Sequence, residues 1–409
     1  MRMKEVTQNR KKPITAPQLV KIIVFLVVTA LIFQFLTLLY DRPKSYRLYD
    51  YENLPENTVD AVVIGASTVY RYYDSMEAWE KYGISSYAYG IAGAVGENTI
   101  FSLKDLLKHQ SPKVALIEVR GFLGSRSMNG MTTNMYRYIK NYANPFKRWE
   151  ILNHYNKMTG IRFSSDQLPY YLTLIMNHEN YWRLFDSSNW KRVIKGGKRD
   201  FSAVDASQFM GYAIGDRVVP QSAIPYDEHY QTKLAQGGEN ALRELLSYCR
   251  KIGQEVILVA SPYAYTQDDM GELNAVTAIA QEYNVPFLNA NKDQEKLGID
   301  FSTDYYDAHH TNLLGAVKYT DYLLDYLTQH YQFTDHRGDE AYVVWEQEDA
   351  QYRPAKEAAL ASLDTQIQAA AAGQETGEEA AGTSASDETN SGNQTVTSAE
   401  GNSSDDEED

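Results

Sequence analysis

The sequence predicts an α/β fold: a parallel sheet covered by helices on both faces, in a flavodoxin-like three-layer α/β/α sandwich. An N-terminal transmembrane helix precedes this domain and a disordered tail follows it. Three observations carry this reading. Short β-rich runs alternate with amphipathic runs through the middle of the chain, the pattern of strand–helix–strand units with right-handed crossovers. Ile22 to Tyr40, "IIVFLVVTALIFQFLTLLY", is nineteen residues without a charge, about the length that crosses a bilayer. From Glu357 to Asp409 there are thirteen acidic residues and no Lys or Arg, with too few large apolar side chains to offset the entropy of ordering.

The tail therefore carries −13 of the net charge of −15, and the rest of the 409-residue chain is near neutral at −2. Its acidity says little about the partners of the folded part. Residues 1–21 hold six basic residues and one acidic one. The positive-inside rule places them in the cytoplasm and everything after Asp41 outside the cell. No small-x-small cleavage site follows the apolar run, so residues 22–40 read as an uncleaved signal anchor. Residues 41–57 read as a linker with a reach of at most roughly 60 Å. Residues 58–335 form the extracytoplasmic domain, 336–356 a second linker and 357–409 the disordered tail. The single cysteine, Cys249, excludes an intrachain disulfide and suits a bacterial exterior. It lies in a helical pattern and reads as a buried thiol.

The strands follow in order as "DAVVIGAS" (60–67), "SSYAYGIAG" (85–93), "KVALIEVRGF" (113–122), "EVILVASPY" (255–263) and "VPFLNAN" (285–291). Between them, residues 96–110 place Ile100, Leu103, Leu106 and Leu107 on one helical face. Residues 240–253 form an amphipathic helix ended by Gly253, a further helix covers 268–283, and the last helix runs from about 309 to 330. The Tyr-, Asn- and Arg-rich region of about 124–238 breaks the rhythm. It reads as an insertion, either a substrate-binding cap or a second structural layer.

Ser67 ends the first strand run, where open α/β sheets gather ligands. It is either the cap of the next helix or a nucleophile. In "DYYDAHHTNLLGA" (304–316), Asp307 and His310 stand three apart before a helix. That spacing lets a carboxylate hold an imidazole in the tautomer that accepts a hydroxyl proton. A serine hydroxyl needs such a base to become nucleophilic. His309 is the rival base. As caps, Asp307 and His310 would be an N-cap and a solvent-facing first-turn residue. There is no Walker or Rossmann glycine loop and no HExxH. The adjacent histidines, with Asp304 and Asp307 nearby, are poorly spaced to converge on a metal, and no cofactor or metal is expected. The basic run 189–200 is either a solvated loop or a contact for an anionic polymer. Nucleic acid is excluded as a partner by the exterior location.

"GAS" after the first strand, the glycine-bearing end of the second, and D-x-x-H-x-N-x-x-G-A together resemble the SGNH (GDSL-like) hydrolase superfamily. The likeness is greatest to its membrane-anchored bacterial branch, which includes D-alanyl-lipoteichoic acid transfer proteins and envelope polysaccharide O-acetyltransferases. It covers about 58–122 and 240–330. The resemblance implies Ser67 as nucleophile, His310 rather than His309 as general base and acid, and Asp307 as its orienter. It matches Asn312, Gly315 and Ala316 to the family pattern. It implies an oxyanion hole from the backbone N–H of Ser67 and that of Gly93, with Gly90 as the alternative. The family's Gly-x-Asn-Asp block is absent, its place taken by "IEVRGF", and Arg120 or Asn129 stand as candidate replacements. The implied activity is serine acyl transfer, expected to be O-acetylation of an envelope polysaccharide or teichoic-type polymer. The acyl donor would be handed over by a polytopic membrane acyltransferase. An esterase of the same fold and a non-catalytic envelope scaffold are the alternatives.

Overall fold

Buried β-branched and apolar runs make the sheet. In the computed structural model the strands are β1 (Ala61–Gly65), β2 (Ser86–Gly90), β3 (Val114–Glu118), β4 (Val256–Ala260) and β5 (Phe287–Asn289). All neighbours pair in parallel, in the order β2-β1-β3-β4-β5. The structure describes residues 15–40, 46–124, 133–142, 144–194, 209–224, 227 and 229–381. The remaining parts of the predicted basic segment, tail and basic run, and Asn129, lie outside the described residues.

Side chains alternate across the sheet as the pleat requires. Val62, Ile64, Ala115, Ile117 and Leu258 face one apolar cluster, while Ala61, Val63, Leu116, Ile257 and Val259 face the other. The helices, in chain order, are α1 (Ala16–Tyr40), α2 (Tyr46–Asn53), α3 (Ser67–Tyr72), α4 (Ser75–Tyr82), α5 (Thr99–Leu106), α6 (Thr133–Ile139), α7 (Pro145–Thr159), α8 (Leu168–Tyr171), α9 (Thr173–Met176), α10 (Ser187–Ile194), α11 (Gln236–Ile252), α12 (Gln267–Tyr283), α13 (Gln294–Leu297), α14 (Leu313–His330) and α15 (Val343–Ala381). Residues of α5, α11 and α12 fill the first cluster, and those of α3 and α14 fill the second. Cys249 is buried in α11, where burial pushes its thiol up to about 12.

Four expectations are corrected. The predicted strand 113–122 stops at Glu118, and Val119–Phe122 turns into a 3-10 helix. The helix expected from about 309 starts at Leu313, because Asn312 caps it. Residues 41–57 are not wholly a linker: Leu48, Tyr51 and Leu54 of the α2 segment are buried in the core, and Tyr87 donates its hydroxyl to the Arg47 carbonyl at 2.7 Å. Residues 336–356 are not a linker either. The α15 helix extends into the expected tail and buries Trp345, Tyr352, Ala359 and Leu363 in the same core, a stripe at helical spacing.

The insertion divides into three described parts. Helices α6 and α7 form a structural layer, with Tyr138, Ile151, Leu152 and Tyr155 fully buried. Residues 173–194 pack on the end of α1. Residues 209–221 run as a strap beside α3 and the 301–313 loop, through Ala213 N–H to Tyr70 O, Val219 N–H to Tyr305 O and Leu313 N–H to Gly215 O.

Candidate active site

The chain leaves β1 toward β2 on one side and returns to β3 on the other. The carboxyl ends of β1 and β3 therefore flank a topological switch point, the crevice where such sheets place their ligands. The turn after β1 is tight. A Cβ on Gly65 would lie 2.8 Å from Val69 Cγ2 and 2.9 Å from Glu118 Cβ, and one on Gly90 would lie 2.8 Å from the Ala66 carbonyl oxygen. Only glycine permits these approaches. The Glu118 carboxylate ties three strand ends together. It accepts from Thr68 Oγ1 at 3.1 Å, from Arg120 N–H at 3.2 Å and from Ser261 Oγ at 3.2 Å.

Ser67 is the first residue of α3, and its N-cap is Ala66, which makes no side-chain cap. The serine hydroxyl turns away from the helix and lies 2.8 Å from His310 Nε2. On the far side of the imidazole, Nδ1 lies 3.0 and 2.9 Å from the two Asp307 oxygens. Burial raises Asp307, but hydrogen bonds from His310 and from the His309 amide outweigh it and hold the carboxyl down to about 2. An ionised Asp307 requires the proton on Nδ1, so Nε2 is the acceptor facing Ser67. His310 itself is 8% exposed.

The loop that presents His310 is fastened to the helix that presents Ser67. The Tyr72 hydroxyl and Arg120 Nη1 both donate to the His309 carbonyl, at 3.1 and 3.3 Å. Thr311 Oγ1 donates to the Arg71 carbonyl at 2.9 Å. Within the loop, Tyr306 N–H donates to the His310 carbonyl at 2.8 Å. Asn312 Oδ1 caps α14 through Leu314 and Gly315 N–H, while its Nδ2 donates to the Thr303 and Arg217 carbonyls. A Cβ on Gly315 would come within 2.6 Å of the Asp304 carbonyl oxygen. The D-x-x-H-x-N-x-x-G motif is thus a complete local plan: a carboxylate on an imidazole, a cap and a close approach.

The other predicted residues fall as follows. His309 is not set on Ser67. It is exposed, and its Nδ1 meets the Tyr263 hydroxyl, so the two adjacent rings diverge. Asp304 is a structural group, buried and paired with Lys318. Among the described residues no group of three or more His, Cys, Asp or Glu could hold a metal ion. Gly93 has φ +68°, and among the described residues neither its N–H nor that of Ser67 has a protein acceptor. Gly90 is committed to close packing under the Ser67 turn. Arg120 is buried with its guanidinium 3.5 Å from the Tyr263 ring centroid. Its Nη1 donates to the His309 carbonyl, while its Nε and Nη2 find no acceptor among the described residues.

Sequence reasoning missed Tyr72, Thr311 and Asn134. Tyr72 and Thr311 act through backbone carbonyls, which leave no spacing signal. Asn134 comes from α6, inside the irregular insertion, and its Oδ1 packs on Gly93, within 2.3 Å of where a Cβ would be. No known protein family's sequence model matches this chain, and no curated protein is significantly similar to it.

Proposed function

We propose that this chain is a membrane-anchored serine acyltransferase with an SGNH-like three-layer fold. In this reading α1 is the anchor, with the N-terminus cytoplasmic and the sheet outside the cell. The observation that carries the reading is the Ser67–His310–Asp307 relay, two consecutive hydrogen-bond contacts of 2.8 and 2.9 Å at the carboxyl end of β1.

His310 Nε2 takes the Ser67 proton as Oγ attacks the acyl carbonyl, and Asp307 stabilises the imidazolium that forms. The oxyanion meets the N–H groups of Ser67 and Gly93, which have no protein acceptor among the described residues. Preorganised donors of this kind contribute about 3 kcal/mol each. The imidazolium then protonates the leaving oxygen, leaving an acyl-Ser67 ester. A hydroxyl of the acceptor, an envelope glycan or teichoic-type polymer, gives its proton to His310 and attacks that ester; the Ser67 Oγ–acyl bond breaks, His310 returns the proton to Oγ, and the acylated polymer leaves. A polytopic membrane acyltransferase supplies the acyl group, expected to be acetyl. The chain's own residues need no cofactor for these steps.

The test is full-length protein in detergent with a chromogenic acetyl ester, beside Ser67→Ala and His310→Ala. A burst followed by slow turnover, absent from both variants, is the expected result. Fast steady turnover would make water the acceptor and the protein an esterase. Identical progress curves in all three proteins would overturn the catalytic reading in favour of a scaffold.

A further inference from the structure

The end of α1 is not free. Residues 16–32 of this helix are exposed, but from Phe33 onward it is partly covered, and Thr37 and Leu39 are buried. What covers it is the insertion: α9, α10 and the 3-10 turn His178–Phe185 between them pack on it. Asn189 Nδ2 donates to the Leu39 carbonyl at 2.5 Å, and the Phe35 and Trp190 rings lie 5.4 Å apart. The segment wrapped around α1 turns large apolar side chains outward. Phe185 is 84% exposed, Ile194 74%, Tyr181 63% and Trp182 53%, with Ile175 and Trp190 also exposed.

Length fixes the level of this collar. α1 is the one helix among the described residues long and apolar enough to cross a membrane. From Ile22, just after Lys21, to Ile32 the uncovered helix rises only about 16 Å at ~1.5 Å per residue. Counted from Ala16 it rises about 25 Å. Both fall short of the ~30 Å hydrocarbon core. The covered turns, residues 33–40, must supply the remaining depth, so the collar that covers them meets the bilayer. Its Trp and Tyr content is that of side chains that settle at the membrane–water boundary.

We propose that residues 173–194 are an interfacial docking element that inserts Tyr181, Trp182, Phe185 and Ile194 into the headgroup–acyl boundary of a phospholipid bilayer. This rests on α1 spanning that bilayer. The domain is then seated on the membrane at a fixed level, because the collar grips the anchor and α2 is packed into the core. Continuity with the spanning helix favours lipid as the occupant of this face.

The experiment uses the full chain in phosphatidylcholine vesicles containing lipids brominated either near the glycerol or at mid-chain. Trp79 and Trp345 are buried in the core, and a Trp149→Phe background removes the exposed tryptophan of α7. Quenching stronger with the shallow bromine, and mostly lost when Trp182→Phe is joined to Trp190→Phe, the other exposed tryptophan of the collar, is expected. The native chain should already show the same shallow-over-deep order, and Phe185→Asp with Ile194→Asp should weaken it while the chain still floats with the vesicles. A chain that floats and resists carbonate extraction, yet is quenched at neither depth, overturns the docking element and leaves the face to a membrane-protein partner. A chain that does not float with vesicles overturns the span, and the docking element with it, whatever the ester assay shows.

Discussion

Three helices, α3, α4 and α14, begin differently. α14 is capped by Asn312, whose Oδ1 accepts from the amides of Leu314 and Gly315. α4 is capped by buried Asp74, which accepts from Met76 and Glu77. α3 has Ala66 at its cap and no side-chain bond at all, although Ser67, a residue type that caps as well as Asn or Asp, stands next to it. A good cap in the wrong place by one residue is the mark of a side chain with another partner. Ser67 gives its hydroxyl to His310, and its own amide has no protein acceptor among the described residues. On the proposed function, the comparison separates helix starts capped for stability from one whose serine is given over to chemistry.

The largest effects should therefore fall on activity at α3 with little change in stability. Ser67→Ala and His310→Ala are each expected to lower ester turnover about 10³-fold or more. Asp307→Asn should cost about 10⁴-fold, because it removes the charge that fixes the imidazole. Since Ser67 caps nothing, its alanine variant should melt within about 0.5 kcal/mol of the native protein. A thermal melt showing a loss of about 1 kcal/mol with unchanged turnover would return Ser67 to the role of a cap.

Asn134→Ala comes next. Its Oδ1 packs on the Gly93 turn, so its loss should let the Gly93 amide shift and reduce kcat by up to about 10²-fold through misplacement. A kcat equal to that of the native protein would make the amide a packing group only.

What was legible in the sequence follows the same division. "GAS" and "DAHHTNLLGA" were readable because each residue there has a local duty: close approach at Gly65 and Gly315, capping at Asn312, orientation at Asp307. The sheet was readable because its strands are short, continuously apolar and separated by helical runs. Helix α15 was not. Its buried face is a single narrow stripe, Trp345, Tyr352, Ala359 and Leu363, amid charges, alanines and a proline at position 354, and that composition reads as tail. Asn134 was illegible for a different reason. Its place beside Gly93 is set by how the insertion packs on the sheet, and no periodicity encodes that. The collar was half legible: its aromatic density stands out, but only the packing of 173–194 on α1 assigns it a level.

The Asp74 cap sharpens the comparison through pH. Burial raises this carboxyl, and hydrogen bonds from the Tyr352 hydroxyl and the Glu77 amide only partly offset it, leaving it pushed up to about 7. An unfolded Asp ionises near about 4. Between those values the unfolded chain has released a proton that the folded chain retains, so this group's contribution to stability falls as pH rises from about 4 to about 7. Asp74→Asn keeps a capping oxygen and has nothing to titrate. Chemical denaturation across that range should show the native slope flattened in the variant, and an unchanged slope would place the titration elsewhere.

The smallest effect isolates the cap itself. Asn312 does two things: Oδ1 caps α14, and Nδ2 holds the Thr303 and Arg217 carbonyls that shape the His310 loop. Asn312→Ala loses both, while Asn312→Ser retains a capping oxygen and loses only the donor. The difference in stability between these two variants is therefore the cap alone, expected at about 1 kcal/mol, whereas the loss common to both measures the loop contacts. The same pair of substitutions at position 67 should show no such difference, because serine is already there and caps nothing. If Asn312→Ala and Asn312→Ser melt together, capping is not what α14 gains from its asparagine. The contrast between α3 and α14 would then rest on the loop contacts rather than on the two helix starts.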